Sequence, residues 1–345
     1  MRVGILGGGQ LARMLALAGH NLGIRTTVLD PGEEPCAGQV CAAIRGEYDD
    51  YQALYKLAQA SDVVTYEFEN VPVECARWLA ERVPVYPPPA ALEVSQDRVA
   101  EKTFFRELGI RTAPFAAVTS RDEYDAALRA IGLPAVLKTT RFGYDGKGQA
   151  MMRTPQDAEE AWEALGGRPL IFEGFVPFDR ELSLIAARNV NGDVAFYPLV
   201  ENEHCDGMLD RTEAPAPRLT SDLTETAGRA MRVVLEKLDY VGVLAIEWFE
   251  AKGQLIANEM APRVHNSGHW SIDGAVTSQF ENHLRAVCGL PLGSAAAVGS
   301  YTMRNLIGER PDFAQLLGSP SAKLHWYGKE PRPRRKLGHV TYRVE

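Results

Sequence analysis

Two glutamates in the second half of the sequence have the residue type and spacing of a divalent-metal site. Glu247 lies in the segment AIEWFE and Glu259 in IANEMAPR, on consecutive apolar stretches that predict a β-hairpin. A hairpin would set the two carboxylates side by side, with the amide of Asn258 next to one of them. Such oxygen ligands suit magnesium, which takes its remaining ligands from nucleotide phosphates. The alternative is a pair of surface charges on edge strands, but an acid inside so apolar a segment needs a partner or an ion.

A second group of residues combines lysines with glycines in the segment VLKTTRFGYDGKGQ. Lys138 ends a predicted strand, and Gly143, Gly146 and Gly148 follow it with Lys147 among them. Glycines allow backbone N–H groups to approach phosphate oxygens, and lysines add positive charge. The segment lacks the GxxxxGK[ST] pattern of a P-loop, so it would bind phosphate in another way. A flexible hairpin with solvated lysines is the alternative, and these residues alone do not decide between the two.

The segment RPLIFEGFVPFDRELSL lies between these two groups. Glu173 and Glu181 flank an apolar turn, and the backbone of EGFV can hydrogen-bond an adenine edge while Phe or Val side chains pack on the ring. Taken alone, the segment is typical of an ordinary strand and turn. Its position between the lysine–glycine loop and the carboxylate pair favours a nucleotide site.

The N-terminal segment VGILGGGQLARML offers a further phosphate site. A buried strand is predicted over 3–6, and Gly7, Gly9 and Ala12 then fit GxGxxG/A at the start of a predicted helix. Asp30, at the end of the next strand, stands where a dinucleotide-binding fold has its ribose-binding acid. The glycine pattern alone is compatible with NAD or with another phosphate at the helix N-terminus.

The elements that must position these residues fall into three predicted units. Strands and helices alternate over 1–97, which indicates an α/β unit with a parallel sheet that ends near three consecutive prolines. An α+β unit with a largely antiparallel sheet is predicted over 98–289. The remainder, 290–345, is rich in Gly, Pro and Ser and basic near its end, and the family resemblance given below implies that it is a small β-rich domain.

Composition excludes several classes of protein. The chain has 345 residues, of which 46% are hydrophobic and 24% charged, and it carries a net charge of −8, which argues against non-specific nucleic-acid binding. Neither a membrane span nor a signal peptide is expected, because apolar runs are short and the first strand leads directly into glycines. The five cysteines are scattered and lack metal-ligand spacing, which favours a reducing, cytoplasmic location.

Several of these segments, taken in order, resemble one family. GILGGGQLARML, YEFENVP, QDR followed by EK, KTTRFGYDGKGQ, EGFVPFDRELS, NEMAPRVHNSGHW and HWYGKEPRPRRKLGHV are similar to segments of the N5-carboxyaminoimidazole ribonucleotide synthases of bacterial and fungal purine biosynthesis. The resemblance covers essentially the whole chain. It implies an ATP-grasp fold with an N-terminal Rossmann-like domain and a small C-terminal domain, and ATP-dependent carboxylation of aminoimidazole ribonucleotide by bicarbonate through carboxyphosphate.

The resemblance also implies roles for individual residues around ATP. Magnesium, or manganese in its place, would be held by Glu247 and Glu259. The nucleotide itself would be contacted by residues from several segments, namely Arg98, Lys138, Gly143, Tyr144, Asp145, Gly146, Lys147, Gly148, Gln149, Glu173, Gly174, Phe175, Val176, Glu181, His204, Asn258 and Glu259.

In the same family the N-terminal glycine loop receives the phosphate of the ribonucleotide rather than NAD, so Asp30 becomes a strand-end residue. The implied substrate residues are Gly9, Gln10, Leu11, Glu67, Asn70, Lys329, Arg335 and Lys336. The residues expected at the reacting groups are Tyr144, Asp145, Lys147, Arg263, His265 and Asn266. Asp145 would act as the base for the amine or orient Tyr144. Arg334 stands where the family often has glycine, which leaves open which arginine faces the phosphate.

Three other interpretations compete with this one. Another ATP-grasp carboxylate–amine ligase would keep the nucleotide residues without combining YEFEN with the basic C-terminal motif. An NAD(P) dehydrogenase leaves Glu247, Glu259 and the loop after Lys138 unexplained, and an inactive nucleotide-binding regulator would not need every charged residue. The resemblance further implies a homodimer, a separate mutase that takes the product, and no nucleic-acid or membrane partner.

Overall fold

The N-terminal unit is a parallel sheet covered by helices, as predicted. The structure is a computed structural model that describes residues 1–143 and 148–344. The first strands and helices are β1 (Arg2–Leu6), α1 (Gln10–Asn21), β2 (Arg25–Asp30), β3 (Ala42–Arg45), α2 (Tyr51–Ala60), β4 (Val63–Tyr66), α3 (Val73–Ala80) and α4 (Pro89–Ser95). In this described part of the chain, four parallel strands in the order β3-β2-β1-β4 form the sheet.

Two details of this unit differ from the sequence-based expectation. The predicted strand in VPVYP is reduced to a single bridge between Val64 and Val85, because the prolines on either side remove the donors that a ladder needs. Strand β3 and helix α2 were not predicted. Helix α2 begins after Asp50, whose carboxylate accepts the N–H groups of Gln52 and Ala53.

A small antiparallel sheet follows. The sequence pattern predicts helices around 96–108, around 121–131 and near 155–165, and a helix lies in each of these ranges. The elements are α5 (Arg98–Glu107), β5 (Phe115–Val118), α6 (Arg121–Ile131), β6 (Ala135–Thr139), β7 (Gln149–Met152), α7 (Pro155–Leu165) and β8 (Leu170–Gly174). The strands run in the order β5-β8-β6-β7, and the lysine–glycine segment joins β6 to β7. Helix α6 starts after the cap of Ser120, and α7 starts with a capping box between Thr154 and Asp157.

The third sheet is large and contains strands from both remaining units. The strands are β9 (Arg180–Arg188), β10 (Val194–Phe196), β11 (Val200–Cys205), β12 (Met208–Ala214), β13 (Gly242–Ala251), β14 (Gln254–Ala261), β15 (Ser300–Ile307), β16 (Lys323–Trp326) and β17 (Lys336–Val344). Their order is β14-β13-β9-β11-β12-β15-β17-β16, with β10 paired to β9. The helices are α8 (Ser221–Lys237), α9 (Ser271–Gly274), α10 (Gln279–Val287) and α11 (Phe313–Leu316), with 3₁₀ turns at Cys36–Gln39 and Asn266–Gly268.

The C-terminal strands do not form a sheet of their own. Strand β15 pairs with β12, so β15, β17 and β16 continue the sheet that carries the carboxylate hairpin. The segment VAFYPLVE, expected as one strand, is divided into β10 and β11 around Tyr197 and Leu199, both of which are buried.

A shared core holds the N-terminal unit against the large sheet. Val3 and Leu15 of the first unit belong to the same buried cluster as Ile185 and Val243 of the large sheet, with Phe280 of α10 beside them. This packing fixes the position of the glycine loop relative to the C-terminal strands. In the described ranges, no helix has the length and apolar character that crossing a membrane would require.

Candidate active site

One cleft of about 1120 Å³ collects residues from all three parts of the chain. The predicted site residues that line it are Gln10, Leu11, Glu67, Asn70, Arg98, Lys138, Gly143, Gln149, Glu173, Gly174, Phe175, Val176, Glu181, His204, Glu247, Asn258, Glu259, Arg263, His265, Asn266, Lys329, Arg335 and Lys336. Tyr144, Asp145, Gly146 and Lys147 lie outside the described residues.

The carboxylate hairpin forms as the sequence predicts. Glu247 of β13 is in direct register with Glu259 of β14, so the two side chains emerge from adjacent positions into the cleft. Burial, followed by the charge of Glu259, raises the pKa of Glu247 to about 8. Glu247 is half-buried and Glu259 is exposed, and two carboxylates held side by side are a donor set that a hard dication stabilises. The residues present therefore fit magnesium.

A β-bulge explains why Asn258 also belongs to this site. Glu247 opposes Glu259 but Trp248 opposes Ala257, which leaves Asn258 as an extra residue on β14. The bulge turns Asn258 and Glu259 toward the cleft, whereas Ala257 packs in the core on the other face. An amide oxygen is thereby added beside the two carboxylates.

A buried chain of charges lies next to this hairpin. Nζ of Lys138 lies 3.2 Å and Nζ of Lys102 lies 3.4 Å from Oε2 of Glu173. Burial alone would raise the pKa of Glu173, but the charges of Lys138 and Lys102 hold it below its usual value. Oε1 of Glu173 finds no hydrogen-bond partner among the described residues, which leaves an acceptor inside the predicted nucleotide pocket.

The adenosine side of the cleft contains an aromatic pair and an acid–histidine pair. The rings of Phe178 and Phe249 are stacked with centroids 4.7 Å apart. Nδ1 of His204 lies against the carboxylate of Glu181. Burial disfavours the charged imidazole, but the hydrogen bond to Glu181 and nearby carboxylates raise the pKa of His204 above its usual value. Glu181 and His204, both predicted to contact the nucleotide, thus form an ion pair when the imidazole is charged.

Arg98 does not point freely into the cleft as the phosphate assignment expected. Its guanidinium donates to the carbonyl of Thr139 at 3.2 Å and to that of Gly143 at 2.8 Å. These carbonyls lie at the start of the lysine–glycine segment, and Gly148 at its other end has a positive φ of 68°. Arg98 therefore holds the start of this segment, and the phosphate contacts expected of Arg98 and Lys138 stay predictions.

Arg263 and His265 are both in contact with carboxylates in the cleft. Nε of Arg263 donates to Oε2 of Glu69 at 2.5 Å. Nε2 of His265 lies 3.2 Å from Oε1 of Glu247, while its Nδ1 accepts the N–H of Ser267 at 3.3 Å. Burial, then the charge of Arg263, holds the pKa of His265 well below its usual value. The lowered pKa favours the neutral imidazole at His265.

Asn266 follows His265 in the 3₁₀ turn and presents an unused amide. Neither its Nδ2 nor its Oδ1 has a hydrogen-bond partner within residues 1–143 and 148–344, although both atoms are buried. Buried amides are normally paired, so this one is the group in the cleft best placed to receive a small polar substrate.

The glycine loop is organised differently from the expectation for a phosphate site. The N–H of Gly9 donates to Oε1 of Glu67, and the N–H of Ala12 donates to its Oε2 at 2.8 Å. A carboxylate thus already occupies the helix N-terminus, and Gly9 itself does not line the cleft. A Cβ at Gly9 would lie 2.5 Å from Glu67, so glycine is needed to admit that side chain, and a contact of Gly9 with the substrate stays a prediction.

Asp30 takes the strand-end role that the family resemblance implies. Its Oδ2 accepts the N–H of Gly8 at 2.8 Å and the hydroxyl of Tyr48 at 3.1 Å, and its Oδ1 accepts the N–H of Gly32. Both oxygens of the Asp30 carboxylate already accept hydrogen bonds from neighbouring turns. It therefore holds the loop in shape instead of facing a ribose.

The C-terminal cations reach the glycine loop across the fold. Lys329 donates from Nζ to Oε1 of Gln10, and burial lowers the pKa of this lysine. Arg335 and Lys336 line the same part of the cleft. Arg334 adopts a φ of 62°, in the left-handed region that favours glycine, which explains why its position suits glycine in relatives.

Three charged residues in or next to the cleft were missed at the sequence level: Glu69 and Glu101 line it, and Lys102 contacts Glu173. The signal for the last two was present, because helical spacing places Glu101 and Lys102 on the same face as Phe104 and Phe105, which are buried. Charged residues on an apolar helix face indicate buried partners. Glu69 gave no comparable signal, since its ion pair with Arg263 joins distant segments.

Family comparisons agree with this arrangement of fold and cleft. The ATP-grasp domain family matches residues 103–280, the ribonucleotide synthetase preATP-grasp domain matches 1–96, and the phosphoribosylaminoimidazole carboxylase C-terminal domain matches 302–345. The chain is an ATP-grasp ligase, in which two α+β lobes hold ATP between their sheets.

Relatives over the whole length make the assignment more specific. An N5-carboxyaminoimidazole ribonucleotide synthase of Pseudomonas aeruginosa is 52% identical over 99% of this chain and 94% of its own. The synthetase structure from Thermus thermophilus is 58% identical, with a TM-score of 0.96 over 99% of this chain and 93% of its own. The Aspergillus clavatus enzyme, solved with ADP and 5-aminoimidazole ribonucleotide, is 31% identical with a TM-score of 0.92 over 99% and 93%. The chain belongs to the N5-carboxyaminoimidazole ribonucleotide synthase family.

Proposed function

We propose that this chain carboxylates 5-aminoimidazole ribonucleotide with bicarbonate at the expense of ATP, giving N5-carboxyaminoimidazole ribonucleotide, ADP and phosphate in purine biosynthesis. The observation that carries the proposal is the single cleft. It joins the lysine pair around Glu173 and the carboxylate hairpin to the C-terminal cations at the glycine loop. Two phosphate-bearing substrates can therefore meet in one enclosed volume.

ATP lies on the side of the small sheet. Adenine would pack at 173–176 and the ribose hydroxyls would bind Glu181, with His204 lining the pocket. Lys138 binds phosphate, and we propose that residues of the segment after it also contact the nucleotide, namely Gly143, Tyr144, Asp145, Gly146, Lys147, Gly148 and Gln149. Glu247, Glu259 and the amide of Asn258 would hold magnesium, which when bound offsets negative charge on the phosphates.

The ribonucleotide lies on the side of the N-terminal unit. Its phosphate would be bound by Lys329, Arg335 and Lys336, and its base would lie near Glu67 and Asn70. Gln10 and Leu11, at the first turn of α1, complete the pocket. Lys329 already donates to Gln10, so a single cation links the C-terminal strands to the helix that faces the substrate.

Bicarbonate would bind between the two, near Arg263 and the unpartnered amide of Asn266. A bicarbonate oxygen attacks the γ-phosphorus and ADP leaves, which gives carboxyphosphate. Carboxyphosphate then releases CO₂ and phosphate, and the exocyclic amine nitrogen bonds to the carbon of CO₂ while losing one proton. Asp145 is our candidate for the base that takes this proton, with Tyr144 beside it.

Arg263 must leave Glu69, at least in part, to bind bicarbonate with both guanidinium edges. Its pairing in the structure keeps the charge in position before the substrate arrives. Water must be excluded while carboxyphosphate exists, because that species hydrolyses readily.

The proposal is tested by measuring phosphate release from ATP with magnesium, omitting aminoimidazole ribonucleotide or bicarbonate in turn. Release that requires both, together with incorporation of labelled bicarbonate into the ribonucleotide, is the expected result. Release supported equally by another carboxylate in place of bicarbonate would favour a different ATP-grasp ligase.

We further propose that the protein is a cytoplasmic homodimer whose product passes to a separate mutase. All five cysteines are free thiols, which suits a reducing compartment. Sedimentation equilibrium of the purified chain tests the dimer, and a monomer at micromolar concentration would contradict it.

A further inference from the structure

Strand β14 is the last strand of the large sheet, and its outer edge carries the metal carboxylate. Backbone groups at such an edge have no neighbouring strand and need other partners. Here helix α5 and the residues after it supply them. The N–H of Ala257 donates to the carbonyl of Arg111 at 2.8 Å, which leaves the next two edge groups, at Asn258 and Met260, to side chains.

Those two groups are bound by consecutive residues of α5. Nζ of Lys102 donates to the carbonyl of Asn258 at 2.9 Å, and Oε1 of Glu101 accepts the N–H of Met260 at 2.7 Å. Both side chains are buried, with 2% and 3% of their residue surface exposed. We call Glu101 and Lys102 the α5 clamp.

The two hydrogen bonds of the α5 clamp fall on the two peptide groups that flank Glu259. The carbonyl of Asn258 belongs to the peptide before Glu259, and the N–H of Met260 belongs to the peptide after it. Because the orientations of these two planes define φ and ψ of Glu259, fixing both planes fixes the direction of its Cα–Cβ bond. The bulge at Asn258 interrupts the regular ladder of hydrogen bonds to β13 at this point. The two hydrogen bonds of the α5 clamp therefore hold the backbone orientation that a regular ladder would otherwise hold.

An apolar cover would not be enough at this edge. Apolar side chains on α5 would shield the edge but leave a buried N–H and a buried carbonyl unpartnered. The clamp also reaches the nucleotide, since Lys102 lies 3.4 Å from Glu173, which in turn lies 3.2 Å from Lys138. One helix turn thereby connects the backbone of the metal residue to the lysine expected on phosphate.

We infer that Glu101 is a positioning residue. Because its carboxylate accepts the N–H of Met260, it fixes the orientation of the Glu259 carboxylate and thereby the affinity for the magnesium–nucleotide complex. The inference rests on the proposed function only in taking Glu259 as a magnesium ligand. It assigns to Glu101 no contact with substrate and no proton transfer.

The test measures Mn²⁺ binding to the protein with ADP by electron paramagnetic resonance, alongside the Mg²⁺ dependence of turnover. Glu101→Ala removes the acceptor and should weaken Mn²⁺ binding about tenfold, the range seen when supports of metal ligands are lost. Glu101→Gln keeps an oxygen acceptor but not the charge, and should stay within about threefold of the parent protein by the same reasoning. Glu107→Ala removes an exposed acid from the same helix and should change nothing.

Each pattern of results has a definite meaning. Equal weakening in Glu101→Ala and Glu101→Gln would show that charge rather than the hydrogen bond matters, and would overturn the inference. Unchanged Mn²⁺ affinity in Glu101→Ala, even with a lower melting temperature, would reduce Glu101 to an edge cover and also overturn it. Because Mn²⁺–ADP binding needs no ribonucleotide, it is independent of whether the wild-type protein carboxylates that substrate.

Discussion

The carboxylates of Glu247 and Glu259 oppose each other on adjacent strands, and both line the cleft. Burial, and then the nearby charge of Glu259, raise the pKa of Glu247. A site that is electrostatically unfavourable without a cation is favourable with one, so metal binding and stability are linked at these two residues.

We predict that Glu259→Gln abolishes turnover while preserving the fold. Losing one anionic ligand removes several kcal/mol of charge stabilisation, which corresponds to more than about a hundredfold in rate. Without metal, the variant should melt at or above the temperature of the parent, because the repulsion with Glu247 is relieved. Activity assays and calorimetry with and without Mg²⁺ and ADP measure both effects, with Glu236→Gln on the exposed face of α8 as the control. Parent-like turnover at ordinary magnesium would contradict the metal assignment.

A second residue-scale prediction concerns the two neighbouring arginines. Arg334 has a backbone conformation that suits glycine, and its Nη2 donates to the carbonyl of Asp206 at 3.1 Å. Arg334→Gly should therefore leave the KM for the ribonucleotide within about threefold, whereas Arg335→Ala, which removes a charge-assisted contact, should raise it at least about tenfold. Steady-state kinetics of the two variants measure these KM values. A larger increase in Arg334→Gly than in Arg335→Ala would assign the phosphate contact to Arg334.

At the scale of elements, helix α1 and strand β4 are joined by one carboxylate. Glu67, one residue beyond β4, accepts two N–H groups from the start of α1. Burial raises the pKa of Glu67, and the N–H donors of Ala12 and Gly9 oppose that rise. The helix N-terminus thus holds an internal anion, and the proposed function assigns the substrate phosphate to the C-terminal cations.

Gly9→Ala should disturb this joint selectively. The added Cβ meets the Glu67 carboxylate at 2.5 Å, an overpacking that costs about 1–3 kcal/mol. We expect kcat/KM for the ribonucleotide to fall about five- to a hundredfold, while the KM for ATP barely moves. Gly228→Ala is the matched control, since nothing lies within 4 Å of a Cβ there and the helix should gain stability. A larger effect on ATP than on the ribonucleotide would place the glycine loop in the nucleotide site.

Elements with local signals were predictable from the sequence, and those set by distant contacts were not. The sequence pattern predicts helices around 121–131 and near 155–165, and α6 and α7 lie there, each starting at a local cap. The carboxylate hairpin followed from two apolar strands with a short turn. The bulge at Asn258, the Glu67 bonds to the glycine loop and the Glu69–Arg263 pair depend on tertiary register, which no local pattern encodes.

At the scale of the whole molecule, the order of strands in the large sheet accounts for the shared cleft. Strands β13 and β14 carry the carboxylates at one edge, and β17, which begins at Lys336, lies several strands away toward the other edge. The shared core holds the N-terminal unit over that second region, so Gln10 meets Lys329. Residues that are far apart in the sequence therefore line one cleft, in which we propose two substrate subsites.

The separation of these subsites gives the last prediction. Lys329→Ala should reduce kcat/KM for the ribonucleotide about ten- to a hundredfold, since a charge-assisted contact to phosphate contributes about 1.5–3 kcal/mol. Its ATP affinity should be nearly unchanged, because Lys138 and Lys102 surround Glu173 on the other side of the cleft. Lys138→Ala should show the opposite pattern, with ATP binding lost and the ribonucleotide retained. Calorimetric titration of each variant with each ligand separately makes the comparison. If both variants lose ATP equally and neither affects the ribonucleotide, the C-terminal cations do not bind the substrate phosphate.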